Sequence, residues 1–593
     1  MTNSNLSASS SSSSGQSIKV LASFCHILPL VGLVFVELFC FLPVLKHIGF
    51  YLDDWVMLNY LYIAPKDFFD AATFYFGIDP RVVNRPLEVV HFIAMFKMFG
   101  VKPFGYHVFN LVLEIISAWL LFLCLSALSR RPGSSFVATS IFVLYPSHNI
   151  THYWVVSSAV TLSLVFYLGS LYLGILAASR SKQSLYFGSA FLYCLSNFNY
   201  EVFLPLVSIN ILLVLYLLWK NGQPGRLVKE GLIFFGLNVL AIAALLVYLK
   251  AIMPLLGVAW MHKVSFDPGL MFRTLSTGIE LNLPHVAFPY FIQNISDKLN
   301  GGLQLHEVIY LLLQSTVFFA ISIFLLLRNR SETNCNINLK TEDSGLPATS
   351  SFLIAIGCFC VVISYLIFGL NEEYMPVFNT IVNRVNTGAS IGLAFIICGF
   401  GLFLESRRYS AIYLKTAQAV LLIGGTMAVC FFTLTNWALS MPFVISWQLQ
   451  SQIMNAVKSN KAQFADAKAI LLCNAPRYAC EAPVFDGVWD FQSMVRLVLA
   501  RENIDAGVIS DRMQFSSTEV KDISKGSFVC ATYNYDNLWL MISPTCRIMR
   551  IHGPVELINN IEKYGLDFEQ NKRLPEIWRK QINSQSRLEK HAN

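Results

Sequence analysis

The chain has 593 residues, of which 55% are hydrophobic and only 13% charged, and its mean hydropathy is +0.54. Soluble domains carry roughly 25% charged residues and a smaller apolar share, so a mostly soluble protein is excluded. The formal net charge of +7 lies largely in short connections between apolar runs, where it acts as an orientation signal, and no nucleic-acid module accompanies it.

Residues 1–17 contain the serine tract SASSSSSSGQS. Such a composition cannot bury enough apolar surface to offset its ordering entropy, which points to a disordered cytoplasmic tail. The apolar run at about 18–45 is too long for the core of a signal peptide and lacks a small-residue cleavage site; it reads as the first span. Further runs fall at 106–128, 135–147, 155–178, 184–200, 202–219, 231–252, 308–327, 351–370, 387–404 and 415–436. Most approach the roughly 20 residues that cross a hydrocarbon core. The fold expected over 18–440 is therefore mainly α, a polytopic transmembrane helical bundle of about eleven spans, the third and fifth of them short.

Basic residues orient the bundle. Arg130 and Arg131, Arg180 and Lys182, Lys220, Arg226 and Lys229, Arg328, Arg330 and Lys340, and Arg407, Arg408 and Lys415 all fall on one side of this topology, and the positive-inside rule makes that side cytoplasmic. The connections 46–105, 253–307 and 371–386 are then extracytoplasmic, in an inner or plasma membrane. So is the polar region 441–593, where strand-like runs (AKAILLC, GSFVCATY, LWLMIS, CRIMRI) alternate with helix-like ones (FQSMVRLVLARE, VELINNIEKYG). That alternation predicts a small α/β domain. Its four cysteines, Cys473, Cys480, Cys530 and Cys546, are even in number and compatible with disulfides outside the cytoplasm, while their spacing does not suit a zinc site.

The connection 46–105 holds the chemistry. Asp53 and Asp54 follow the first span directly. NRPLEVVHFIAMFKMFG, residues 84–100, has helical periodicity with Pro86 in its first turn. Because it carries Glu88, His91 and Lys97, it reads as a helix lying in the membrane interface. His107 and Asn110 then share one face of the next span. A carboxylate on such a ledge can take a proton from a hydroxyl while partly shielded from water, and an arginine beside it, such as Arg85, can neutralise a phosphate. His148 and His152 sit four apart before Trp154, a spacing that suits a metal on a helix, but no third ligand follows nearby. Glu201 between apolar runs is an acid that needs a reason, and Glu37 within the first span could pair inside the bundle.

The run DDW…NRPLEVVHFIAMFKMFGVKPFGYHVFNLVLE resembles the first extracytoplasmic loop of the C-type integral-membrane glycosyltransferases. Among these it resembles protein O-mannosyltransferases and aminoarabinose-transferase-like proteins, glycosyltransferase family 39 in kind. YPSHNITHYWVVSSAVTLSLVFYL (145–168) resembles the stretch after the third span of that superfamily. NFNYEVFLPL (197–206) resembles its "KE" segment, with Tyr200 where lysine is common, and YMPVFNTIVNRVNTGASIGL (374–393) resembles its late external loop.

The resemblance implies a sugar moved from a polyprenyl-phosphate-linked donor to a hydroxyl acceptor (protein, lipid or polysaccharide) at the outer face of the membrane, with inversion. Asp53 and Asp54 are the candidate catalytic residues, Asp53 favoured as base; Arg85, Glu88, His91, His107, His148, Glu201 and Arg384 are the candidate donor- and acceptor-binding residues, Arg384 for the donor phosphate. No cofactor is assigned, although a divalent cation stays open because some relatives use one. Two other readings remain: a transporter or flippase of lipid-linked glycans, which predicts functional charges deep in spans and two related halves, and a non-catalytic glycolipid-binding protein.

Overall fold

A computed structural model describes residues 11–78, 80–222, 224–255, 266–335, 348–406, 411–523, 529–543, 545–564, 576 and 578–582. In chain order its helices are α1 (Ser11–Leu45), α2 (Asp53–Ile63), α3 (Phe68–Ile78), the single turn α4 (Pro80–Val83), α5 (Pro86–Phe99), α6 (Pro103–Ser129) and α7 (Pro132–Leu144). There follow the short α8 (Ile150–Tyr153), α9 (Ser158–Arg180), α10 (Gln183–Asn199), α11 (Val207–Lys220), α12 (Pro224–Val247), α13 (Met253–Leu255), α14 (Pro268–Leu281) and α15 (Pro284–Asn300). The long helices α16 (Leu305–Cys335), α17 (Ser350–Ser364), α18 (Thr387–Ser406) and α19 (Ala411–Ser459) complete the bundle, and α20 (Val488–Leu499) and α21 (Pro554–Tyr564) belong to the C-terminal unit.

Among the described residues nine helices are long and apolar enough to cross a membrane; the protein is an integral, multi-pass membrane protein with a polytopic helical bundle. Nine of the eleven apolar runs of the sequence correspond to these. The other two are α7 and α10, of 13 and 17 residues, which the bundle still buries: α7 packs on α6, α16, α18 and α19, and α10 lies along α9. Of the N-terminal tail, residues 1–10 lie outside the described residues, and the backbone of Ser11–Ser17 is already helical.

Close helix approach is set by small residues, as expected where lipid supplies no hydrophobic drive between helices. α17 and α18 cross at Gly357 and Gly392, where a Cβ on Gly357 would lie 2.7 Å from the carbonyl oxygen of Gly392.

The connection 46–105 is itself helical, a platform of α2, α3, α4 and α5 at one end of the bundle. α5 starts with Pro86 at its first turn and buries Val89, Phe92, Ile93 and Met95 while Val90 and Met98 stay exposed. The C-terminal unit sits on this platform. α19 runs unbroken past residue 440 to Ser459, so the polar unit starts about twenty residues later than its composition suggests. Its main sheet has the order β4-β1-β8-β9 (β1 Ala469–Cys473, β4 Asp505–Val508, β8 Leu538–Ile542, β9 Arg547–Ile551). β1 is parallel to both neighbours, pairing Ala469 with Asp505 and with Leu538, and β9 is antiparallel to β8. All five residues of β1 are buried, as a central parallel strand requires. A hairpin of β2 (Tyr478–Ala479) and β3 (Ala482–Pro483) and an antiparallel sheet of β5 (Met513–Phe515), β6 (Glu519–Ile523) and β7 (Val529–Asn534) complete the unit. Cys473 ends β1, Cys480 lies in the hairpin turn, Cys530 is on β7 and Cys546 directly precedes β9.

α20 packs against α2, and a polar chain ties the two parts. Trp55 on α2 donates to Gln450 of α19 (2.8 Å), and Gln450 in turn donates to the carbonyl of Pro483 on β3 (3.3 Å). The chain reaches α2 by passing beneath α19 at Gly49, where a Cβ would fall inside the Trp447 ring; only glycine allows that passage.

Candidate functional site

Leu52, just before α2, has φ 48°, a left-handed backbone that costs a branched residue about 1–3 kcal/mol and tends to cluster at functional sites. The two aspartates that follow this turn have different surroundings. Asp53 lines a cavity of about 160 Å³ together with Arg85, Glu88, Trp154, Tyr200 and Arg384. Asp54 is fully buried and serves the backbone: its Oδ2 accepts from the Tyr51 amide (2.8 Å) and its Oδ1 from the Val156 amide (2.9 Å). Burial pushes the Asp54 carboxyl well above the usual range, against the pull of those amides and with Asp53 beside it adding to the rise. Its geometry is that of a clamp between the start of α2 and the segment before α9. Trp154 strengthens the clamp by donating from its indole nitrogen to the Tyr51 carbonyl (3.0 Å).

Two arginines face the cavity in different states. Arg85 makes a two-pronged pair with Glu201, Nε to Oε2 at 2.9 Å and Nη2 to Oε1 at 2.7 Å, the geometry that makes arginine–carboxylate pairs strong. Glu88 stands 3.7 Å from its Nη1, and the guanidinium carbon lies 3.8 Å over the Tyr200 ring. Burial disfavours the Arg85 charge, but Glu201, Tyr200 and Glu88 more than restore it. Arg384 instead donates to the Tyr200 hydroxyl (3.3 Å) and to the Ile381 carbonyl. Its guanidinium lies over the rings of Trp154 and Tyr374, 5.1 and 5.9 Å from their centroids. Among the described residues no carboxylate lies within ion-pair distance of it. Tyr200 thus stands between two cations, offering its ring face to one and its oxygen to the other. A lysine in its place would repel both.

The histidines lie elsewhere. His91 pairs with Ser158 (2.8 Å) and is buried, which lowers its pKa to about 4. His107 meets the Gly49 carbonyl at 2.9 Å and holds the strained passage before α2. His148 contacts Ser390 (3.0 Å), stacks on Phe142, and is held by burial near pKa 4. His152 stacks on Phe41, with its Nδ1 3.9 Å from Glu114. None of the four lines the cavity of Asp53. Among the described residues no three His, Cys, Asp or Glu side chains come together in a way that would hold a metal ion. Glu37, 1% exposed on α1, lies in the field of Glu114 on α6, and its Oε2 has no hydrogen-bond partner among the described residues.

The sequence pattern did not single out Trp154, Tyr200 or Tyr374 as cavity walls. The only signal for them was their place in quoted segments: Trp154 after the two histidines, Tyr200 at the position of a common lysine, and Tyr374 after Glu372 and Glu373. A second, larger cavity of about 450 Å³ opens beside the first, between α15, α19, the 371–386 segment and the β2–β3 hairpin.

Comparison with known proteins gives limited overlap. No family model matches the chain. Over 84 residues, 14% of this chain, the sequence is 32% identical to protein O-mannosyl-transferase Tmtc1 of Drosophila melanogaster. That match spans a tenth of the relative's length. In structure the chain is similar to ArnT from Cupriavidus metallidurans, solved bound to undecaprenyl phosphate, with 10% identity over 82% of this chain and 85% of that one at a TM-score of 0.33.

Proposed function

We propose that the protein is a membrane glycosyltransferase of the C type, moving a sugar from a polyprenyl-phosphate-linked donor onto a hydroxyl at the outer face of the membrane. The observation that carries this reading is the single cavity shared by Asp53 and an Arg384 with no carboxylate in reach among the described residues. The motifs of the first connection support it, as does the local likeness to an O-mannosyl-transferase.

In this reading Asp53 takes the proton of the acceptor hydroxyl. The hydroxyl oxygen forms a bond to the anomeric carbon as the bond to the lipid phosphate breaks on the opposite face, so configuration inverts. The departing phosphate is met by Arg384, whose planar fork suits a phosphate and whose cationic faces are already packed on rings. Arg85, committed to Glu201 and Glu88, contributes by holding Tyr200, and through it Arg384, in place. Asp54 is a positioning residue that fixes Asp53 and Trp154. The platform holds donor and acceptor in line, where much of the rate gain arises.

The test is glycan transfer in membranes carrying wild type, Asp53→Asn or Arg384→Ala at matched protein levels, with lipid-linked sugars and products followed by mass spectrometry. Accumulation of a lipid-linked donor with loss of one product is expected in both variants. The buried Glu37 and Glu114 keep a second reading open, a flippase of lipid-linked glycans, since acids within spans mark transport pathways. Unchanged glycans in the Asp53 and Arg384 variants, with altered sidedness of the lipid-linked sugar in Glu37→Gln, would favour it.

A further inference from the structure

The larger cavity differs in chemistry from the first and is separated from it by the 380–384 stretch. Asn383 makes this wall rigid. Its Oδ1 accepts from the Ile150 amide (3.2 Å), and its Nδ2 donates to Asn149 Oδ1 (2.6 Å) and to the Phe378 carbonyl (2.9 Å). The backbone amide fixes the orientation of both side-chain amides, so the Asn149 amide hydrogens are left to the cavity. Asn294 donates one amide hydrogen to the Tyr290 carbonyl (2.8 Å), which leaves its oxygen and its second hydrogen. Asp297 on α15 and Glu481 in the hairpin turn add carboxylates, Glu481 in hydrogen-bond contact with Asn379. Lys298, the cation of this lining among the described residues, is paired with Glu307 at 2.8 Å. Leu439, Met441, Pro442 and Phe443 of α19 form an apolar floor. Two rim residues, Thr380 (φ 75°) and Cys480 (φ 54°), are held in left-handed backbone.

This set of groups selects a ligand class. With the lysine neutralised, the lining carries two carboxylates, which repel a phosphorylated or acidic group and accept hydrogen bonds from hydroxyls. Amides offering a donor on one side and an acceptor on the other complete such recognition, and the apolar floor suits the C–H face of a sugar ring. A volume of about 450 Å³ lies within the range of small-ligand sites. β2 and β3 are two residues long, so the hairpin offers little sheet edge for a peptide to add a strand to.

Resting on the transferase reading above, we propose that this cavity is the acceptor subsite, that it takes a neutral, hydroxyl-rich carbohydrate group, and that the C-terminal unit contributes its specificity through the β2–β3 hairpin. The acceptor is then a glycan. The donor phosphate and the acceptor sugar approach the 380–384 wall from opposite sides.

Cys480 is exposed on the rim and supplies the readout. The full chain in nanodiscs is treated with N-ethylmaleimide, and alkylation of Cys480 is timed by peptide mass spectrometry in the presence of methyl glycosides of neutral hexoses, a methyl glucuronide, or a serine- and threonine-containing peptide. A neutral glycoside is expected to slow alkylation about threefold at about twice its Kd, the glucuronide to have no effect, and Asp297→Asn with Glu481→Gln to abolish the protection. The single exposed change Asp297→Asn serves if the double variant fails to fold. Absence of protection by every neutral glycoside, equal protection by the glucuronide, or protection by the peptide alone overturns the proposal. Asp53→Asn separates the two readings: protection with no transfer by wild type leaves a carbohydrate site without the transferase, whereas transfer lost in Asp53→Asn without any protection leaves the transferase without this subsite.

Discussion

The two cavities at one end of the bundle use the same stretch of chain for opposite purposes. On one side of residues 380–384, Arg384 is backed by Trp154, Tyr374 and Tyr200 and shares its space with Asp53. On the other, Asn149, Asn294, Asp297 and Glu481 stand over an apolar floor, with Lys298 paired to Glu307. The first suits an anion beside a base; the second suits neutral hydroxyls. The difference teaches that net charge, which is positive over the whole chain, says little about either site, because local pairing decides which charges a ligand meets.

Changes at four positions test this contrast from the side of the first cavity. The largest effect is expected from Asp53→Asn, which should lower the single-turnover transfer rate by about 10²–10⁴-fold while thermal unfolding stays at the wild-type temperature. Arg384→Ala should follow, at about 10²–10³-fold, the range for removing one group that stabilises developing charge. Arg384→Lys should recover part of that loss in the same assay, because it keeps the charge and loses the fork and the ring contacts. Asp54→Ala should act on stability instead, leaving the Tyr51 and Val156 amides without an acceptor at about 1–3 kcal/mol each; calorimetric unfolding checks it, with Asp54→Asn milder.

The smallest effect concerns His91. Its folded pKa is lowered to about 4 by burial, so the unfolded chain binds the proton more readily. The stability this residue contributes is present above its unfolded value and is lost as pH falls from about 6.5 toward 4. His91→Gln should flatten the acid limb of the stability profile and leave the pH dependence of transfer unchanged. A transfer profile that moved with His91 would return it to the site and blur the contrast between cavity and scaffold.

How much of this was legible varies by residue. Asp53, Arg85, Glu88 and Arg384 were named from the sequence, and the structure puts them on one cavity, with Glu201 bound to Arg85 behind it. Asp54, His91, His107 and His148 were named with them, yet each is spent on the scaffold. Neighbours one residue apart on a helix point in different directions, and nothing local told which direction would be the cavity.

The sequence by itself determined the class of molecule, because hydrocarbon admits only long apolar helices and each span carries that signal within about 20 consecutive residues. It also determined the strands β1, β7, β8 and β9 and both helices of the C-terminal unit, whose periodicity is local. Only the tertiary structure decided that α19 continues into that unit, that the hairpin packs on α19 and shares a cavity with α15, and that Arg85 is paired with carboxylates while Arg384, among the described residues, is not. Those outcomes depend on contacts between residues far apart in the chain, such as Arg85 with Glu201 and Asn149 with Asn383, and no local pattern encodes which of two arginines a distant carboxylate will reach.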